Sequence, residues 1–318
     1  MVAREVVRTI PVPTSVSAEA QQFLGAGFGM AEGAPSPAVD DLDGWRALIE
    51  ASNAGVAAMF DLRTAGKQPT VEVLTVGDVP VYAVTPEHGG DDIGVYLDVH
   101  GGAFTMGYGD ACRAMTKLTA EQVQTKTWGI DYRTPPDHRY PAALDDCIAV
   151  YRQLLEVEPP ERIVVGGQSA GGNLAAALML RARDEGLPLP AALVLLTPEV
   201  DLTESGDSFA TMLGLDPVLT SSLADSIALY AGDHDLTDPY LSPLFGEFTG
   251  FPPTLLQAGT RDLFLSNAVR LHRAMRNAGV DAELHVFEAM PHGGFFGAPE
   301  DDDLAREVHR FVRARLTT

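Results

Sequence analysis

From residue 95 onward, short apolar runs alternate with longer helix-forming runs, and this rhythm constrains the fold more than any other property of the chain. Strands are expected at 95–99, 127–132, 162–165, 192–196, 254–258 and 282–287, and helices at 111–124, 141–155, from near Ser169 to 183, 266–278 and 302–316. Strands separated by helices pair in parallel through right-handed crossovers, so the expected fold class is α/β, a mostly parallel central sheet flanked by helices. Upstream, apolar runs at 71–74 and 79–84 flank Gly77-Asp78, a hairpin signal. Two regions break the rhythm. Residues 1–65 are rich in Ala and Gly, with one helical segment at 41–62 whose Trp45, Leu48, Ile49 and Val56 form an apolar stripe. Residues 203–250 are rich in turn formers, with one helix near 221–230.

In sheets of this kind the chemistry gathers at the carboxyl ends of the strands. Reactive residues fall there repeatedly. His100-Gly101-Gly102 follows the first strand of the alternation, Ser169 the third, Asp262 the fifth and His292 the last. Ser169 lies in Gly167-Gln168-Ser169-Ala170-Gly171, between an apolar strand and an Ala- and Leu-rich helix. Small residues two positions to either side let strand and helix approach while the Ser takes a strained backbone conformation and presents its hydroxyl above the sheet edge. A Ser hydroxyl needs a base at neutral pH, and an imidazole oriented by a carboxylate supplies one. The order Ser, Asp, His is that of an α/β-hydrolase. Backbone N–H groups at Gly101, Gly102 and Ala170 would then hold the oxyanion of a tetrahedral intermediate.

Together, His100-Gly101-Gly102-Ala103, Asp131-Tyr132-Arg133, Pro141-Ala142-Ala143, the stretch from Gly167 to Asn173, Asp238-Pro239-Tyr240 and Met290-Pro291-His292-Gly293 resemble, in order and spacing over residues 70–318, the bacterial hormone-sensitive-lipase-like esterases. The stretch Gly259-Thr260-Arg261-Asp262 is further similar to a subgroup containing acetyl-hydrolases and monoterpene ε-lactone hydrolases. The resemblance implies an α/β-hydrolase domain at 66–318 and a helical cap made from residues 1–65 and an insertion within about 203–240. It implies Ser169, Asp262 and His292 as triad, Gly101, Gly102 and Ala170 as oxyanion donors, and no cofactor. Phe28, Phe104, Leu213 and Phe264 are candidates for the substrate pocket, although core packing explains any one of them equally well. Two residues depart from the family pattern: Gln168 stands where Asp usually precedes the nucleophile, and Ala103 where a third Gly is usual.

Each candidate has a structural rival. Ser169 or Asp262 could cap the helix that follows it, and Asp262 can do so while also serving as triad acid. His100 is better explained as ordering the oxyanion loop than as a base. The cluster Asp233, His234, Asp235 and Asp238 has ligand residue types without calcium-loop spacing, so a solvated loop is favoured and no metal is expected.

The remaining properties bound the partners. With 22 basic and 44 acidic side chains, the formal charge of −22 disfavours nucleic acid and anionic membrane surfaces. The two cysteines, Cys112 and Cys147, have no metal spacing, and a single disulfide would add little to so large a core. With no signal-peptide pattern and no run of membrane-spanning length, a cytoplasmic location is expected. The expected substrate is a small or medium apolar ester or a lactone. An N-acetyl amide cleaved by the same triad is the enzymatic alternative, and a ligand-binding receptor without turnover is the alternative from another class. Apolar N-terminal segments also permit a homodimer.

Overall fold

The computed structural model describes residues 6–7, 9–26, 36–89 and 92–317. Its centre is an eight-stranded sheet in the order β1-β2-β4-β3-β5-β6-β7-β8. The strands are β1 (Thr70–Val76), β2 (Val79–Thr85), β3 (Val95–Val99), β4 (Lys126–Ile130), β5 (Ile163–Gln168), β6 (Ala192–Leu196), β7 (Thr254–Gly259) and β8 (Ala282–Phe287). β1 and β2 form the antiparallel hairpin expected at Gly77-Asp78, with Val76 opposite Val79. β2 also runs antiparallel to β4, and every other pairing is parallel. The alternation of apolar runs is therefore realised as parallel pairing from β4 to β8.

The helices are α1 (Ala18–Ala26), α2 (Leu42–Arg63), α3 (Asp110–Val123), α4 (Ala142–Leu155), α5 (Ala170–Asp184), α6 (Ser208–Thr211), α7 (Ala224–Ala231), α8 (Leu265–Asn277) and α9 (Pro299–Leu316). α1 and the four-residue α6 were not expected from periodicity, being too short to show it. In α2 the apolar stripe is narrower than the sequence suggested. Trp45 and Ile49 are buried, whereas Leu48 is exposed and Val56 only half-buried.

Strand parity divides the core. Leu97 and Val99 of β3, Val165 of β5 and Leu195 of β6 face α4, α5 and α8. Tyr96 of β3, Val164 of β5, Val194 of β6 and Leu255 of β7 face the opposite layer, against Val308, Phe311 and Val312 of α9. α5 is buried along most of its length, as a helix lying at the centre of one layer must be. Its start is pressed onto the sheet: a Cβ on Gly171 would lie 1.9 Å from the Val99 carbonyl oxygen, so only Gly fits there. α2 packs on α3, and α1 touches α9. Among the described residues no helix is long and apolar enough to cross a membrane.

Candidate active site

The turn from β5 into α5 places Ser169 at φ 58°, ψ −123°, a conformation that L-residues rarely adopt. The surroundings hold it there. The Ser169 N–H donates to Leu196 O at 2.9 Å, and Asn173 N and Glu199 N both donate to the Ser169 carbonyl at 3.2 Å. Ser169 caps nothing with its side chain, so the capping alternative has no support at this residue. Ala170 opens α5, and its N–H belongs to the first helical turn, where amides have no intrahelical acceptor.

The loop after β3 lies over this turn. A Cβ on Gly101 would stand 3.3 Å from Ser169 Cβ. Gly102 has φ 132°, and a side chain there would meet the Met106 carbonyl oxygen at 2.1 Å, so both the backbone angle and the space demand Gly. Thr105 N and Met106 N donate to Gly102 O at 3.0 and 2.9 Å, closing the loop. The N–H groups of Gly101 and Gly102 have no partner among the described residues. Ala103 tolerates φ 49° in place of the usual third glycine.

His100 anchors the loop rather than the chemistry. Its buried ring stacks on Tyr132 at 4.0 Å, and Nδ1 lies 2.8 Å from Gly101 O. The Tyr132 hydroxyl donates to His100 O at 2.8 Å. Burial pushes the His100 imidazole down to about 4, so it stays neutral. His100, Cys112 and Asp131 bring ligand-type atoms within 4.8 Å of one another, although their sequence spacing signals no site. Gly109 N donates to Asp131 Oδ1 at 2.8 Å, and the Cys112 thiol, pushed well up by burial, donates to Ile130 O at 3.5 Å, while His100 Nε2 has no partner among the described residues.

Asp262 and His292 meet from the ends of β7 and β8. His292 Nδ1 lies 3.1 Å from Asp262 Oδ1, with the carboxylate fully buried and the imidazole nearly so. The same Oδ1 accepts the Phe264 N–H at 2.9 Å, so Asp262 also fixes the turn that leads into α8. The two loops are locked: Arg261 N donates to Met290 O at 3.2 Å, and a Cβ on Gly259 would lie 1.8 Å from Met290 O. Gly293 brings the His292 loop against the nucleophile turn, since a Cβ there would stand 3.1 Å from Gln168 Nε2.

Asp216 has no signal in the sequence, yet it ties these loops together. Its Oδ2 accepts the N–H of Leu263 at 2.9 Å and of His292 at 3.2 Å, while Oδ1 accepts from Val218 at 2.9 Å and Leu219 at 3.2 Å. It lies between α6 and α7, in the turn-rich stretch that broke the alternation. Burial raises its carboxyl above the ordinary range, opposed by the His292 charge.

The four pocket candidates scatter. Phe28 lies outside the described residues. Phe104 is buried in the main core, stacked on Tyr230 at 4.5 Å. Phe264 is fully buried and edge-on to the His292 ring at 4.8 Å. Leu213 follows α6 and is half exposed. None of the last three lines the cavity that lies on the α3/α9 side of Gly101, Gln168 and Gly293.

The family model for the alpha/beta hydrolase fold matches residues 96–296. An acetyl-hydrolase of Streptomyces hygroscopicus is 34% identical over 226 residues, which are 70% of this chain and 75% of that protein. The carboxylesterase NlhH of Mycobacterium tuberculosis is 31% identical over 247 residues, again 70% of this chain and 75% of the relative. Among solved structures, an esterase superposes with a TM-score of 0.90 at 33% identity, covering 98% of both chains. An esterase of the bacterial hormone-sensitive lipase family does so with a TM-score of 0.84 at 31% identity, over 95% of this chain and 100% of that one. The chain belongs to the bacterial hormone-sensitive lipase family of α/β-hydrolases.

Proposed function

We propose that the protein is a serine carboxylester hydrolase in which Ser169 is the nucleophile, His292 the general base and acid, and Asp262 the carboxylate that orients His292. The observation that carries this reading is the buried pair of His292 Nδ1 and Asp262 Oδ1 at 3.1 Å, on a loop whose Gly293 approaches Gln168 in the turn that holds Ser169 at positive φ. The pair fixes the proton of His292 on Nδ1 and leaves Nε2 free to take the proton of Ser169 Oγ. Ser169 then attacks the ester carbonyl, and the oxyanion is held by the N–H groups of Gly101, Gly102 and Ala170, each worth roughly 10²–10³ in rate. His292 passes the proton to the leaving alkoxide. Water, deprotonated by the same imidazole, releases the acid and restores Ser169. The relatives named esterase and carboxylesterase support ester bonds as the target. No step calls on a metal or cofactor. Residues 1–65 and the segment within 203–240 serve as the cap, and the two free buried thiols, Cys112 and Cys147, suit a reducing cytoplasm.

The test is an assay of purified protein and Ser169→Ala against p-nitrophenyl esters of graded chain length, with lactones and N-acetyl amides alongside. Ester hydrolysis that falls by at least about 10³ in the variant is expected. Turnover that survives the substitution overturns the nucleophile assignment. Amide cleavage exceeding ester cleavage makes the enzyme a deacetylase, and tight binding of esters without turnover makes it a receptor.

A further inference from the structure

The sheet carries a row of polar side chains where an apolar layer is expected. Tyr96 and Asp98 of β3, Gln168 of β5 and Gln257 of β7 share the parity of Val164, Val194 and Leu255, and so project toward α3 and α9. All four line the cavity behind the nucleophile. Register fixes their spacing. Gln168 and Gln257 flank Leu196 in one row across the sheet, while Asp98 pairs with Gly166, two residues (roughly 7 Å) further down. The Tyr96 hydroxyl occupies the space above Gly166, where a Cβ would lie 1.7 Å from it.

These groups have unused hydrogen-bonding capacity. Tyr96, Asp98 and Gln257 are each at most 7% exposed. Among the described residues the Tyr96 hydroxyl and the Gln168 amide have no partner, and Gln257 has only a 3.4 Å contact from Nε2 to Met290 Sδ. Asp98 is hydrogen-bonded to Thr119, and burial raises its carboxyl to about 7, so it both donates and accepts near neutrality. Polar groups kept unpaired in a cavity lose free energy unless water or a ligand satisfies them.

One end of the cavity is lined by Gly101 of the oxyanion loop, by Gln168 next to Ser169 and by Gly293 next to His292, although Ser169 and His292 do not line it themselves. We propose that it receives the acyl chain of the substrate and that Tyr96, Asp98, Gln168 and Gln257 select a chain bearing a hydroxyl group several carbons beyond the carbonyl. This rests on the esterase reading above. A hydroxyl suits the site because donors (Tyr96, Gln168) and acceptors (the Gln257 oxygen, Asp98) face it together. Arg63, Asp98 and Asp301 line the same cavity, with Arg63 and Asp301 paired at 3.9 Å, so the lining offers no single uncompensated charge to a carboxylate or an ammonium.

The test compares kcat/KM for ethyl ω-hydroxyhexanoate and ethyl hexanoate, followed in a pH-stat, in the wild type, Gln257→Leu and Tyr96→Phe. A site built around a hydroxyl rejects the chain that lacks it, so a wild-type ratio of at least about ten is expected. Each variant should lower that ratio by roughly three- to tenfold. Because the readout is a ratio within one protein, a general loss of activity cancels, and Tyr96→Phe removes a single atom should Gln257→Leu fold poorly. A wild-type ratio at or below one, or a ratio unchanged in Tyr96→Phe, overturns the proposal while leaving the esterase intact. Hydrolysis of neither ester overturns both.

Discussion

Asp216 holds His292 by its main chain, accepting the His292 N–H at 3.2 Å on the same Oδ2 that accepts the N–H of Leu263, the neighbour of Asp262. One buried carboxylate thus sets the separation of the two loops whose side chains meet at 3.1 Å. Asp216→Asn keeps the shape but can accept fully through one atom only. We expect kcat to fall by roughly 10–100-fold, as small misplacements of catalytic groups do, with KM nearly unchanged and the fold retained by circular dichroism. A kcat within twofold of wild type would show that Asp216 merely fills space.

Gln168 invites a second substitution. Its amide stands beside Gly293 and faces the cavity that also holds Asp98. Gln168→Asp introduces a negative charge next to the His292 loop. A carboxylate there favours the imidazolium form of His292, which cannot act as base, so the acidic limb of the kcat/KM profile should move to higher pH by roughly 0.5 unit. An unmoved limb would mean the new carboxyl is itself protonated.

These two residues mark where the sequence stops being readable. Ser169, Asp262 and His292 stand out as candidates because each follows an apolar strand, and parallel sheets present chemistry at those ends. Asp98 and Gln257 also left a trace, as lone polar residues inside otherwise apolar runs, but the period of a strand tells only which face they share, not what space lies opposite. Asp216 left none. It works through four backbone N–H groups brought from three parts of the chain, and nothing in a local pattern encodes such a meeting. Phe104 and Phe264 show the converse: aromatic residues near the right motifs that the fold spends on packing.

Asp98 and His100, two residues apart on the chain, give stability opposite pH dependences. The His100 imidazole is held at about 4 against an ordinary 6.5, so protons favour the unfolded chain, and about 3 kcal/mol of stability is lost as pH falls from 6.5 to 4. The Asp98 carboxyl is raised to about 7 against an ordinary 3.8, so protons favour the folded chain, and about 4 kcal/mol is gained as pH falls from 7 toward 3.8. The two nearly cancel in the wild type. In His100→Asn the loss disappears and the gain remains. Urea unfolding at pH 7 and pH 4.5 should therefore show the variant, relative to wild type, recovering about 2–3 kcal/mol on acidification, whatever the substitution costs at pH 7. A difference independent of pH would place the His100 titration in the ordinary range.

Glu199 is the least satisfied group near the nucleophile. It is fully buried, its backbone N–H donates to Ser169 O at 3.2 Å, and neither carboxyl oxygen has a partner among the described residues. Burial, with Glu204 and Asp201 nearby, holds its carboxyl well above the ordinary range. The folded state therefore favours the protonated form, and stability falls as pH rises through that raised value. Replacing an unpartnered buried acid with an apolar side chain of similar length removes the desolvation penalty. Glu199→Met should raise unfolding free energy by about 1–3 kcal/mol at pH 8 in urea titrations. The gain should shrink at pH 5, where the unfolded chain too becomes more protonated. Because the backbone contact to Ser169 survives the substitution, the nucleophile turn should keep its geometry, and esterase kcat should stay within about threefold of wild type. Destabilisation at pH 8 would instead show that the carboxyl is satisfied by ordered water, making Glu199 part of a hydrated network behind the nucleophile.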